Sequence, residues 1–136
     1  MKIISLLTVL FLTGFAKADL QVSLTGRTPA FETESSINYY NFGRVIVNSM
    51  STTQYTITNT GATFLQFATT NMWGAGFDFN HNCNFGMYPG QRCNFQIRFW
   101  PFNVGQYSGQ FEIRFFGPTP YPESIRVDLW GEAVYR

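Results

Sequence analysis

Hydrophobic and polar positions alternate most regularly between Cys93 and Phe99, where Cys93, Phe95, Ile97 and Phe99 are separated by Asn94, Gln96 and Arg98. A period of two marks a strand with one buried face. The same rhythm returns around Tyr55 and Ile57, from Phe111 to Phe115 and around Val127 and Leu129. Inward side chains are therefore expected at Tyr55, Ile57, Phe95, Ile97, Phe99, Phe111, Ile113, Phe115, Val127 and Leu129. The outward set is Gln96, Arg98, Glu112, Arg114, Arg126 and Asp128. Softer runs lie at Leu20 to Leu24, read as a short edge strand, at Ile37 to Val47 with a kink at Gly43, at Phe64 to Phe67 and at Phe77 to Phe79. Turns are signalled at Asn48-Ser49, Asn59-Thr60-Gly61, Pro89-Gly90 and the proline-rich stretch from Gly117 to Pro122. Thr69 to Gly76 reads as a loop with an aromatic tip at Met72-Trp73, because its glycines disfavour regular structure.

No apolar i, i+3, i+4, i+7 spacing occurs after the first eighteen residues, while about seven short alternating runs recur with turns between them. The pattern predicts an all-β, immunoglobulin-like, seven-stranded β-sandwich. Charge chooses the register of its last two strands. Ile113 opposite Val127 would set Arg114 against Arg126 and Glu112 against Asp128, and like charges directly opposite are destabilising. Ile113 opposite Ile125 brings Glu112 against Arg126 instead, and this register is expected.

The N-terminus follows a different logic. Lys2 precedes an apolar run from Ile3 to Phe15, and Ala16-Lys17-Ala18 offers small residues at both cleavage positions. Residues 1–18 read as a secretory signal peptide, 19–36 as an N-terminal edge strand and link, and 37–136 as the domain. The apolar run falls short of the roughly 20 residues needed to span a bilayer. After cleavage no membrane span is expected. Without Lys2 and Lys17 the basic residues fall to seven, all arginine, against eight acidic ones. Such a balance offers no footprint for nucleic acid or anionic lipid. With 18% aromatic and only 12% charged residues, the surface has to be covered largely by Ser, Thr, Asn, Gln and Tyr.

The two cysteines, Cys83 and Cys93, both fall in the exported part, where thiols are oxidised, so one intramolecular disulfide is expected. Closing so short a ring stabilises by roughly 2 to 3 kcal/mol on the chain-entropy model. Free thiols or a metal pair are the alternative, but His81 is the single histidine and no further ligands stand at a metal-binding spacing.

Several segments together resemble a known family. They are N-F-G-R-V-I-V-N-S at 41–49, T-I-T-N-T-G at 56–61, C-N-F-G-M-Y-P-G-Q-R-C-N-F-Q-I-R-F-W-P at 83–101, G-Q-Y-S-G-Q-F-E-I at 105–113 and D-L-W-G at 128–131. In order and spacing they resemble the ASPM/SPD-2/Hydin (ASH) immunoglobulin-like domains, related to major sperm protein and PapD-type folds and common in bacterial choice-of-anchor D proteins. The resemblance implies a seven-stranded sandwich, export in bacterial members, a disulfide between Cys83 and Cys93, and a binding or structural role without catalysis. Asn48 departs from a usual glycine, which is tolerable because Asn reaches positive φ. Trp100 departs from a usually small polar residue. Bacterial relatives occur as repeats in long surface proteins, whereas this chain reads as one domain behind a signal peptide.

No chemistry-bearing constellation emerges, and no enzyme activity is expected. His81 has no nucleophile pattern beside it, and the acids are scattered. Glycines 74–76 and 86–90 lack the lysine or helix of a phosphate loop, so no cofactor is expected. The remaining candidates are aromatic: Trp73 with Met72, Phe85 with Met87 and Tyr88, and Trp100 with Phe102. Trp100, Arg98, Arg114, Trp130 and Trp73 are the candidate partner-binding residues, with Trp100, Arg98 and Arg114 expected on one face. The reading is an exported, periplasmic or extracellular interaction or structural module that binds a protein partner at the cell envelope or surface. Alternatives are a module for cell-wall or surface glycans and a PapD-like periplasmic chaperone. Self-association through edge strands is a further expectation.

Overall fold

The computed structural model describes residues 20–24, 31–33, 35–118 and 122–136. The regular structure of these residues is entirely strand: β1 Leu20–Leu24, β2 Phe31–Thr33, β3 Ser35–Ile46, β4 Ser51–Asn59, β5 Gln66–Trp73, β6 Phe77–His81, β7 Arg92–Phe99, β8 Gly105–Phe116 and β9 Glu123–Val134. They form a five-stranded sheet in the order β2-β1-β4-β7-β6 and a four-stranded sheet in the order β3-β9-β8-β5. Strands β3–β9 are the seven of an immunoglobulin-like sandwich, and β1 and β2 extend one sheet beyond them. The segment read as a signal peptide, residues 1–18, lies outside the described residues.

The inward positions expected from alternation all face the core, from Tyr55 and Ile57 to Val127 and Leu129, each no more than 1% exposed. Aromatic rings carry much of the packing. Tyr55 stacks on Phe95 at 5.0 Å, Phe95 meets Phe111 across the two sheets at 4.8 Å, and Phe77 stacks on Phe99 at 4.9 Å. Removing one such ring to alanine costs about 3–5 kcal/mol in a well-packed core. Among the described residues, the Tyr55 hydroxyl is enclosed without a hydrogen-bond partner. Burial, and secondarily Tyr40, holds its pKa well above the usual tyrosine value.

Pairing of β8 with β9 sets Ile113 opposite Ile125 and Glu112 opposite Arg126, the register chosen above by charge. Asn48 takes positive φ, 67°, in the turn between β3 and β4, and Gly90 does so after Pro89. Gly43, at φ 73°, coincides with a register shift between Asn41 and Arg44 in β3. The disulfide Cys83–Cys93 is formed with its Cα atoms 5.2 Å apart, fastening the segment after β6 to β7.

Three local readings are corrected. Thr69 to Gly76 is not a loop throughout, because β5 continues to Trp73 and only Gly74–Gly76 turn. A bulge between Phe67 and Thr69 shifts the phase, placing Thr70 and Met72 on the core side and hiding the alternation. Second, β1 is not an edge strand, since β2 lies outside it within the segment read as a link. Third, Met87 is no surface aromatic companion. It pairs with Leu65 in an isolated bridge and is 1% exposed, while Phe85 and Tyr88 beside it stay exposed.

Candidate functional site

Alternation decides whether a side chain points into the sandwich, but the sheet to which its strand belongs decides which side of the molecule it reaches. Arg98 projects from β7 in the five-stranded sheet, and Trp100 follows it at the next outward position. Arg114, Trp130 and Trp73 project from β8, β9 and β5 in the four-stranded sheet. The expected face bearing Trp100, Arg98 and Arg114 is therefore not formed. Its members divide between opposite outer surfaces.

On the four-stranded sheet, register aligns Trp73, Gln110, Asp128 and Tyr39 in one row across all four strands. The next row places Trp130 between Ser108 and Asn41. Tyr39 and Trp130 stack at 5.7 Å with their planes 22° apart. Tyr39, Trp73, Trp130 and Phe116, spread over this face, are each at least 44% exposed, and the stacked Tyr39–Trp130 pair is its one ring-on-ring contact among the described residues. Beyond the Trp130 row, Arg44, Glu132 and Gln106 line a hollow of about 210 Å³ with Asn41 and Trp130.

The charges on this surface cancel locally. Arg114 lies 3.3 Å from Glu112, Arg126 lies 3.0 Å from Asp128, and Arg44 lies 3.4 Å from Glu132. Two of these pairs join residues two apart along one strand. The hydrogen bond to Asp128 raises the Arg126 pKa further above an already high value, so this cation persists at any working pH.

The outer surface of the five-stranded sheet has another chemistry. Rows run Thr52–Arg98–Asp78, then Gln54–Gln96–Asn80. Thr56 and Asn94 follow, joined by a 2.9 Å hydrogen bond from the threonine hydroxyl to the amide oxygen. Arg98 and Asp78 form an ion pair. Trp100 stands at the end of this surface near Phe102, its backbone N–H donating to the Gly76 carbonyl at 2.7 Å. On the inner side of this sheet, His81 at the end of β6 packs its ring near Phe67 and Phe79 and accepts a 3.0 Å hydrogen bond from the Cys83 N–H at Nδ1. Partial burial lowers its pKa below the usual imidazole value. A neutral ring with Nδ1 accepting carries its proton on Nε2.

Among the described residues no three of His, Cys, Asp and Glu converge to hold a metal ion, and no helix is long and apolar enough to cross a membrane. Two groups of contributors were not found from sequence. Tyr39 depends on the parallel pairing of β3 with β9, which alternation does not encode. Gln54, Asn80 and Asn82 depend on which strands flank Gln96, although alternation alone marks Gln96 as outward.

No curated protein matches the sequence. Among solved structures the chain is similar to the VesB protease of Vibrio cholerae, at 17% identity and a TM-score of 0.61, over 70% of this chain and 30% of that one. It is similar to PapD-like domain 7 of human CEP192, at 12% identity and a TM-score of 0.61, over 90% and 92%. A protein of unknown function from Porphyromonas gingivalis is similar at 12% identity and a TM-score of 0.55, over 85% and 66%. The chain thus spans under a third of VesB and nearly all of the CEP192 domain. These likenesses concern the fold. The family model for the HYDIN/CFA65/VesB-like Ig-like domain matches residues 33–130, most of the sandwich just described, and the chain belongs to that family.

Proposed function

We propose that this protein is a non-enzymatic interaction module that docks a protein partner on the outer surface of its four-stranded sheet. The observation that carries the reading is the stacked Tyr39–Trp130 pair, with Trp73 exposed toward the opposite edge of the same sheet face, on a surface whose three arginines are each matched by a carboxylate. Large amphipathic rings supply contact area at low entropic cost, and interface cores favour Trp, Tyr and Arg. A locally neutral surface does not attract phosphate polymers or anionic lipid, which leaves an apolar, charge-balanced protein patch as the fitting occupant.

Docking by strand addition is the weaker route. Both free edges of the four-stranded sheet, β3 and β5, carry bulges, and those of the five-stranded sheet, β2 and β6, are short. Bulges and short edges discourage further pairing. Export supports the same picture: residues 1–18 act as a signal peptide, 19–36 lead into the domain, and the Cys83–Cys93 bridge forms in an oxidising compartment. The partner then sits at the cell envelope or surface.

A photo-crosslinking residue at Ser108 or Gln110, between the two tryptophans, should capture a defined protein in producing cells. Replacing Trp73 and Trp130 together by alanine should weaken binding of that protein by more than about 30-fold, the scale of a 2 kcal/mol hot spot. Capture only from the opposite sheet, or unchanged binding by the double variant, refutes the docking surface.

A further inference from the structure

We propose that the amide-rich outer surface of the five-stranded sheet is a second, separate binding site, and that its ligand is a neutral oligosaccharide. The hollow there, about 270 Å³, is lined by Gln54, Asn80, His81, Asn82, Asn94, Phe95 and Gln96. Five of these seven are carboxamides, and none carries a charge at neutral pH. Pockets for drug-sized ligands run to roughly 300–1,000 Å³, so this hollow suits a sugar ring or two.

The hydrogen-bonding capacity of the hollow is largely unused. Gln54, Gln96 and Asn80 stand side by side on β4, β7 and β6, in one register row. Among the described residues their carboxamides make no hydrogen bond to the protein, although most other polar groups nearby do. The Asn82 oxygen accepts from the Asn94 N–H at 2.7 Å, and the Asn94 oxygen accepts from Thr56. Each of those two side chains keeps its NH2 group free to donate, held in place by the bond at its oxygen. His81 borders the hollow from the inner side of β6, where its ring packs against Phe67 and Phe79, so the carboxamides are the donors that face outward.

That inventory selects among ligand classes. A hydroxyl both donates and accepts, and so does a carboxamide, so adjacent hydroxyls on a ring can be matched pairwise by neighbouring amides. An anion would meet the amide oxygens of Gln54, Gln96 and Asn80 without a cation to offset them, because Arg98 is already paired with Asp78. Arg92, at the far end of β7, is the next outward position beyond Asn94 and does not line the hollow. An extended peptide finds its backbone partners at a sheet edge, whereas this hollow lies on a face.

The surface also has a place for a second sugar. Trp100 is four residues beyond Gln96 on the same side of β7, roughly 13 Å along a strand. Its exposed ring is a flat apolar platform of the kind that packs against the C–H face of a sugar. The line from the carboxamide row across the Arg98–Asp78 pair to Trp100 is the track of a short chain.

The test is a titration of the 15N-labelled full domain with cellohexaose, mannohexaose and chitohexaose, and separately with a galacturonic acid hexamer, following the side-chain NH2 signals. At least one neutral hexasaccharide should shift the signals of Gln54, Asn80 and Gln96. The paired change Gln54→Leu with Gln96→Leu should weaken that binding about tenfold or more, and Trp100→Ala about three- to tenfold. Trp73→Ala with Trp130→Ala should leave it unchanged. The proposal is overturned if no neutral hexasaccharide moves these signals at tens of millimolar, if the anionic hexamer binds more tightly, or if the Gln54 and Gln96 variant binds as before. Circular dichroism of each variant separates loss of the site from loss of the fold. Because the two sites lie on opposite sheets, failure here leaves the protein-docking surface standing.

Discussion

The two outer surfaces of the sandwich are built from the same strand geometry and differ only in what alternates with the core. On the four-stranded sheet the outward positions hold Tyr39, Trp73 and Trp130 among matched arginines and carboxylates. On the five-stranded sheet they hold threonines and carboxamides, with one ion pair and a single tryptophan at the end among the described residues. The first surface presents apolar area whose hydration is easily given up. The second presents dipoles that remain well solvated until a ligand of matching dipoles replaces the water. The lesson is that alternation sets the core, while the second half of the alternation is free to make two unlike surfaces on one domain.

The sharpest way to separate them is to loosen one at a time. Reduction of the Cys83–Cys93 bridge, or Cys83→Ser with Cys93→Ser, should lower stability by roughly 2 to 3 kcal/mol in a urea titration. Because the bridge adjoins Asn82 and Asn94, the amide signals of the hollow should broaden in the bridge-free protein. Tryptophan emission from the opposite sheet should hold until global unfolding, and an equal early change in both would show that the surfaces are not independent.

The reciprocal perturbation is Gly109→Ala. A Cβ on Gly109 would meet the Trp73 carbonyl oxygen at 2.6 Å and the Phe77 ring at 2.8 Å. Overpacking of that kind costs about 2 kcal/mol. The thermal midpoint should fall, and the environment of Trp73 should change while the Gln54, Gln96 and Asn80 signals stay in place.

A smaller effect tests the role of charge. Arg126→Glu sets two glutamates opposite each other and places a third acid, Asp128, beside them without its partner. About 1 kcal/mol should be lost, less at high salt. Gln96→Thr on the other sheet should cost little and show no salt dependence, and a matching salt effect at both sites would erase the electrostatic distinction.

The smallest effect is titration of His81. Its pKa in the fold is lowered from 6.5 by burial, so the unfolded chain takes up the proton first as pH falls. Stability is therefore full above pH 6.5 and declines below it, toward the lowered folded value. His81→Gln should flatten that part of the pH profile in a denaturant series, and a profile unchanged by the substitution would show that His81 is not its source.

Much of the fold is legible because its strands obey simple rules. Phe95, Ile97 and Phe99 point inward as their spacing requires, and repulsion alone was enough to choose the register of β8 against β9. Even there the outcome has a twist: Glu112 sits opposite Arg126, yet the short ion pairs run along each strand, from Arg114 to Glu112 and from Arg126 to Asp128. The illegible parts share a cause, which is that they depend on relations between strands distant in sequence. One extra residue in β5 inverted the phase of Thr70 and Met72. Arg98 and Arg114 have the same parity but different sheets, and nothing local to either residue states which. Met87 follows a glycine in an irregular segment, and its burial is decided by Leu65, which comes earlier in the chain.

One connection bears on how the molecule is made. β3, the first strand of the four-stranded sheet, hydrogen-bonds within it only to β9, the last strand of the chain, and the two run parallel. β3 therefore cannot take its place in that sheet until β9 is available to receive it. Contacts that distant in sequence close slowly. The pairing of β3 with β9 therefore joins the earliest and latest strands of the four-stranded sheet, and closing that edge is expected to be a late event in folding.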